Sequence, residues 1–107
     1  MTVYFYGRNS DVESFDRQSS IQTQLSKCQS YANIKDLKID VEITEQVSGT
    51  TCFERRIKGS ELMSSLKRGD HIICSHLDRF SRNTLNLLQL VEKFRKQKVS
   101  LHFVDVG

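Results

Sequence analysis

Apolar positions along this chain fall into short runs and two clear periodicities, and together these divide it into alternating strands and helices. Val3-Tyr4-Phe5-Tyr6 is β-branched and aromatic and is followed by Gly7, which predicts a short central strand. Ser19-Ser20-Ile21-Gln22 has the spacing of a helix capping box. Ile21, Leu25, Cys28 and Ala32 then lie at i, i+4, i+7 and i+11, one stripe of an amphipathic helix from about Ser20 to Asn33. Leu37, Ile39, Val41 and Ile43 alternate with Lys38, Asp40 and Glu42, the period-two pattern of an edge strand with one solvated face. Gly59-Ser60 opens a short helix carrying Leu62, Met63 and Leu66, with Gly69 placed as its C-terminal cap. A strand from His71 to Ser75, a long helix from about Asn83 to Gln97 and a strand from Ser100 to Val106 complete the chain.

The order β-α-β-α-β-α-β predicts an α/β fold of three layers, with a mostly parallel central sheet of four to five strands and helices on both faces. Two segments have no period. Asn9 to Ser19 is polar apart from Val12 and Phe15, and Gln46 to Lys58 holds Ser48-Gly49-Thr50-Thr51 and the pair Arg55-Arg56; both are expected to be mobile loops. In the long helix, Leu85, Leu88, Val91 and Phe94 form one stripe that Leu87 and Leu90 broaden. That is either a wide core contact or a surface covered by a partner chain or another segment.

Composition narrows the class without naming a partner. The chain has 107 residues, enough for one domain that buries roughly two-thirds of its unfolded surface. Residues 1–107 are therefore read as a single unit. No apolar run approaches the roughly 20 residues of a membrane span, and Tyr4, Tyr6, Gly7 and Arg8 interrupt any signal-peptide core, so a cytoplasmic protein is expected. Cys28, Cys52 and Cys74 are odd in number and widely spaced, which argues against a disulfide framework and a zinc site. The net charge of +3 permits a nucleic-acid partner only if the arginines gather on one face.

The candidate chemistry sits where two strands end. Asp78, Arg79 and Arg82 follow the apolar run Ile72-Ile73-Cys74 at the C-terminal end of a strand, where open α/β sheets build their sites. A fixed pair of guanidiniums there suits a phosphate, because each presents planar, permanently charged donors that match phosphate oxygens two at a time. Arg8-Asn9-Ser10 closes the first strand and offers a hydroxyl at the same sheet edge. Taken singly, Ser10 reads as a turn residue, Asp78 as a helix N-cap and the arginines as a solvated helix start. Their combination carries the functional reading. His76 and Asp78 also permit a hydrolase triad with Ser10, but no nucleophile elbow surrounds the serine and the arginines would then have no purpose. The histidines His71, His76 and His102 are isolated in sequence and read as ordinary surface or core residues. A phosphatase or receiver-like phosphate-binding domain is a further alternative, although a receiver needs an acidic pair where Arg8-Asn9-Ser10 stands.

The set Tyr6-Gly7-Arg8-Asn9-Ser10, Ser20-Ile21-Gln22-Thr23-Gln24, Val47-Ser48-Gly49, Arg68-Gly69-Asp70 and Leu77-Asp78-Arg79-Phe80-Ser81-Arg82-Asn83 resembles the N-terminal catalytic domain of the serine recombinases, the resolvase and invertase family. The resemblance covers nearly the whole chain and implies a resolvase-like fold and site-specific DNA recombination. In that chemistry a serine cleaves DNA, forms a covalent 5′-phosphoserine and later yields the end to an exchanged 3′-hydroxyl, with no metal or nucleotide cofactor. It implies Ser10 as nucleophile, Arg8, Arg79 and Arg82 as the phosphate clamp, and Gln24 as a positioning residue. Asp78 would either orient an arginine or handle a proton. Arg56 matches the arginine of the family's R-P-G element, but Arg56-Ile57-Lys58-Gly59 lacks the proline and has one extra residue, which leaves Arg55 as an alternative. Gly7 and Asn9 stand where alanine and valine are more usual. The family's partners are DNA and further copies of the chain, as a dimer and a synaptic tetramer. Its members continue into a dimerisation helix and a helix-turn-helix domain, so residues 1–107 are expected to be the catalytic core alone. The competing reading keeps the fold for dimerisation or regulation without chemistry.

Overall fold

The computed structural model describes residues 1–10 and 20–105. Its elements are β1 (Val3–Asn9), α1 (Ile21–Ile34), β2 (Val41–Gln46), a 3-10 turn (Phe53–Arg55), α2 (Ile57–Ser65), β3 (His71–His76), α3 (Leu77–Phe80), α4 (Thr84–Gln97) and β4 (Ser100–Asp105). The strands form one four-stranded sheet in the order β2-β1-β3-β4, and every pairing is parallel. The chain runs from β1 out to the β2 edge and then returns past β1 to β3. The crevice at the C-terminal ends of β1 and β3 is thus the topological switch point, the place where such sheets bind ligands.

Alternation along β1 builds two cores. Val3 and Phe5 face α1 and pack with Cys28, Ala32 and Ile73, whereas Tyr4 and Tyr6 face the other helices and pack with Phe53, Leu62, Phe80, Leu90 and Phe94. Helices on both faces make the three layers expected from the sequence. Nearly continuous burial of β1 and β3 explains why both read as unbroken apolar runs.

Some boundaries differ from the sequence reading. The α1 cap is Ser20 with Thr23, whose N–H donates to the serine oxygen at 3.2 Å, one register on from the predicted box; Ser19 and the rest of the predicted first loop beyond Ser10 lie outside the described residues. Leu37 and Ile39 pack against the α1-side core, but the strand itself begins only at Val41, after Asp40 has bonded to Val3, so the alternating stretch is half approach chain and half strand. Gly69 does not cap α2, which ends at Ser65; with φ of +92° it shapes the turn into β3 instead.

The segment from Gln46 to Lys58 is not a loose loop, because Phe53 is buried and Arg56 is 1% exposed. Single anchors of this kind leave no periodic trace. In α4 the buried face is Asn86, Leu90 and Phe94, with Leu87 partly covered, while Leu85, Leu88 and Val91 are exposed. Of the predicted stripe only Phe94 enters the core. The helix carries two adjacent apolar rows that the pattern merges into one broad stripe, and the buried face begins with an amide that hydrophobicity does not mark.

Candidate active site

Two arginines are completely buried beneath the switch point. Arg8 is 0% and Arg56 1% exposed. Arg8 donates from Nε to the Arg79 carbonyl (3.2 Å), from Nη1 to the Val47 carbonyl (2.9 Å) and from Nη2 to the Asp78 carbonyl (3.3 Å). Arg56 donates from Nη1 to that same Arg79 carbonyl (2.8 Å) and to the Tyr6 hydroxyl (3.1 Å), and from Nε to the Thr51 carbonyl (3.0 Å). Both guanidiniums therefore converge on one backbone oxygen in α3 and tie the β2 exit, the 3-10 segment and α3 to the end of β1. Arg56 Nη2 is buried without an acceptor among the described residues. An unmet buried donor costs about 1–3 kcal/mol, and such a defect is tolerated where function requires it.

Arg55, the alternative, is exposed at the end of the 3-10 turn. Behind Arg56, the Tyr6 hydroxyl donates to Glu45 Oε2 at 2.6 Å, and the same carboxylate accepts the Lys58 and Gly59 N–H groups at the start of α2, both at 3.1 Å. Burial pushes the Tyr6 phenol well above its usual range, so it stays protonated and keeps donating to Glu45. Sequence reasoning missed Glu45. No spacing marks it, since its place opposite Arg8 on β2 follows from strand register.

Gln24 has a structural role that its position on α1 did not reveal. Its Oε1 accepts the Arg8 N–H (3.1 Å) and its Nε2 donates to the Arg8 carbonyl (3.0 Å). The β1–β3 pairing ends at Tyr6 opposite Cys74, so the backbone of Arg8 faces a gap that β3 has vacated. The Gln24 amide fills that gap as a one-residue substitute strand and holds the chain two positions before Ser10. Gly7 permits this approach of α1, since a Cβ there would lie 2.8 Å from the Phe5 ring and 3.2 Å from Ile21 Cδ1.

Ser10 follows β1 directly and is half-buried, just past the Asn9 carbonyl that accepts the Val47 N–H at 2.9 Å. Arg79 lies on α3, its side chain 12% exposed. Arg79 and Arg82 are not on one helix, because α3 ends at Phe80 and Ser81 is extended (φ −157°, ψ 135°). Phe80 drops into the core there and breaks the helix. Arg82 instead lies across the Ser48-Gly49 turn, where a Cβ on Gly49 would stand 2.6 Å from its Nε. Val47, which accepts from Arg8, is two residues away, so the arginines do gather at one sheet edge.

The Asp78 carboxylate contacts His76 Nδ1 at 2.9 Å and Arg79 Nε at 3.9 Å. What Arg8 receives from position 78 is the backbone carbonyl. His71 and His102 are not isolated: His71 Nδ1 and His102 Nε2 are 2.9 Å apart, and the Tyr31 hydroxyl is 2.8 Å from His102 Nδ1. With ring centres 5.2 Å apart and planes at 21°, the imidazoles meet edge to edge in an N–H···N bond rather than by stacking. This cluster lies on the α1 face, away from the arginines. Cys28 and Cys74 are buried thiols that burial pushes up to about 12, so they do not supply a nucleophile. No group of three or more metal-ligating side chains exists among the described residues.

The model of the family described as "Resolvase, N terminal domain" matches residues 3–107. The chain belongs to the resolvase family. Tn3 resolvase from Escherichia coli is 29% identical over 108 residues, all of this chain and 52% of that protein. A resolvase/recombinase from Pseudomonas putida is 29% identical over 80 residues, 67% of this chain and 44% of that protein. The resolvase domain thus spans about half the length of these relatives. Among solved structures, the N-terminal catalytic domain of TP901-1 integrase superposes with a TM-score of 0.83 at 22% identity, covering 97% of this chain and 78% of that one. The C-terminal catalytic domain of ISC1926 TnpA, an IS607-like serine recombinase, gives 0.77 at 18% identity, covering 98% and 68%. Both likenesses support the resolvase fold. No helix among the described residues is long and apolar enough to cross a membrane.

Proposed function

We propose that this resolvase-family domain cleaves and rejoins DNA with Ser10 as its nucleophile. The observation that carries the reading is the convergence of Arg8 and Arg56 on the Arg79 carbonyl at the switch point, with Arg8 two residues before Ser10. A serine hydroxyl is a weak nucleophile, and the charge that develops on phosphorus has to be met by donors already in place. Arg8 and Arg56 spend their donors largely on carbonyls, so they form the floor of the site; Arg79 and Arg82 are the side chains that meet the phosphate.

In cleavage the Ser10 oxygen bonds to phosphorus, the P–O3′ bond breaks, the serine proton is taken up and the 3′-oxygen leaves as a hydroxyl. Rejoining reverses each change, and the phosphoserine ester retains the energy of the broken linkage. Asp78, paired with His76, serves either to orient Arg79 or to move that proton. The substrate is DNA and the acting unit an assembly of copies, a dimer that pairs into a tetramer. No metal or nucleotide cofactor takes part.

The test is strand exchange by the protein carrying this domain, on DNA bearing its site, with and without Ser10→Ala. Loss of both cleavage and exchange with DNA binding retained is the expected result. Exchange by the alanine variant overturns the assignment, and a wild-type protein that binds DNA but never cleaves favours the dimerisation or regulatory reading.

A further inference from the structure

Asn86 is a polar residue on the buried face of α4, 7% exposed among Leu90 and Phe94. A side chain of that kind on a helix face that could have been leucine has a price in desolvation unless its polar atoms are bonded. Both ends of this amide are. Its Oδ1 accepts the Ser81 hydroxyl at 2.9 Å, its Nδ2 donates to Glu54 Oε1 at 2.6 Å, and its own N–H is capped by Asn83 Oδ1 at 2.9 Å. The amide's orientation is fixed by chemistry, since a carboxylate accepts only and must face the NH2 group.

Each partner belongs to a segment that bears an arginine. Ser81 and Asn83 flank Arg82 at the break between α3 and α4; Ser81 is itself buried, and its hydroxyl also contacts the Asn83 carbonyl (3.1 Å) and N–H (3.3 Å). Glu54 lies in the 3-10 turn, two residues before Arg56 and five after the Gly49 surface on which Arg82 rests. One amide therefore fastens the Arg82 turn to the Arg56 segment.

We propose that Asn86 is a positioning residue that sets Arg82 against Arg56 through Ser81 and Glu54. This rests on the Ser10 reading above for its catalytic consequence, but not for its geometry. Asn86→Asp keeps the acceptor for Ser81 and places a second carboxylate against Glu54. Glu54→Gln in the same chain restores the bond with donor and acceptor exchanged.

In single-turnover cleavage at saturating DNA, N86D is expected to lose about 10²-fold, the cost of a small misplacement, with DNA affinity little changed and a loss of rate larger than any fall in the folded fraction explains. The double variant N86D/E54Q recovers most of the rate, and N86D alone recovers as falling pH lets the two carboxylates share a proton. Cleavage by N86D close to the wild-type rate, a loss that merely follows the folded fraction, or no recovery in the double variant overturns the proposal. A second readout does not need cleavage: in 15N-labelled protein the Arg82 Nε–Hε resonance shifts in N86D and returns in the double variant. An unmoved resonance overturns the positioning role while leaving Ser10 untouched, and a normal pattern in a protein without Ser10-dependent cleavage overturns the reaction but not the geometry.

Discussion

Arg56 shows what a single residue contributes and what sequence could not decide. Adjacent arginines in an aperiodic segment, with the family's proline missing and one residue inserted, favoured Arg56 as the match and left Arg55 open. The 3-10 turn points Arg55 outward and buries Arg56 against the paired Tyr6 and Phe53 rings, whose centroids lie 6.0 and 5.8 Å from its guanidinium carbon. A lysine cannot reach the Thr51 carbonyl, the Tyr6 hydroxyl and the Arg79 carbonyl together. Arg56→Lys is therefore expected to lower the melting temperature and to reduce cleavage by about 10²-fold or more, whereas Arg55→Lys leaves both near wild type. Thermal melts alongside a cleavage assay check this, and equal effects at the two positions would count against the buried role. That Arg8, Ser10, Asp78, Arg79 and Arg82 lie beside the ends of β1 and β3 was legible, because strand ends advertise themselves as apolar runs that stop. Gln24 and Glu45 act on backbone and on a buried phenol, and no spacing encodes that.

At the scale of elements, the strands and the three longer helices were readable from periodicity, and the four-residue α3 was not. Only the burial of Phe80 and the extended Ser81 separate it from α4, and that break decides where Arg82 points. The Gly49 turn is the other half of the arrangement. A methyl group there would collide with the far end of the Arg82 side chain, which can swing away, so Gly49→Ala is expected to displace the guanidinium without unfolding the domain. The predicted outcome is a melting temperature within a few degrees of wild type with a cleavage rate about tenfold lower or worse, measured on the same preparations. A large drop in stability with cleavage proportional to the folded fraction would show that the turn, and not Arg82, is what the glycine serves.

For the molecule as a whole, the sheet order places the candidate site at one end and leaves a separate polar cluster on the α1 face. There His102 on β4 meets His71 on β3 and Tyr31 on α1, with Lys35 nearby, and its pKa is lowered from 6.5 by burial first and then by His71 and Lys35. A histidine lowered in the folded state is neutral in both states above the unfolded value, and below that value the unfolded chain takes up the proton more readily. Stability is thus expected to fall as pH drops from about 6.5 toward the lowered value. His102→Gln should flatten that slope in urea titrations, and an unchanged slope would rule the cluster out as its source. The α/β class, the parallel sheet and the resolvase resemblance were all legible at this scale, because order and periodicity survive without coordinates. The most direct test of the central claim is mass spectrometry of protein trapped on nicked site DNA. The account predicts a nucleotide adduct on the peptide containing Ser10, joined through a 5′-phosphate, and none after Ser10→Ala. An adduct on any other residue, or cleavage with no covalent adduct, would contradict it.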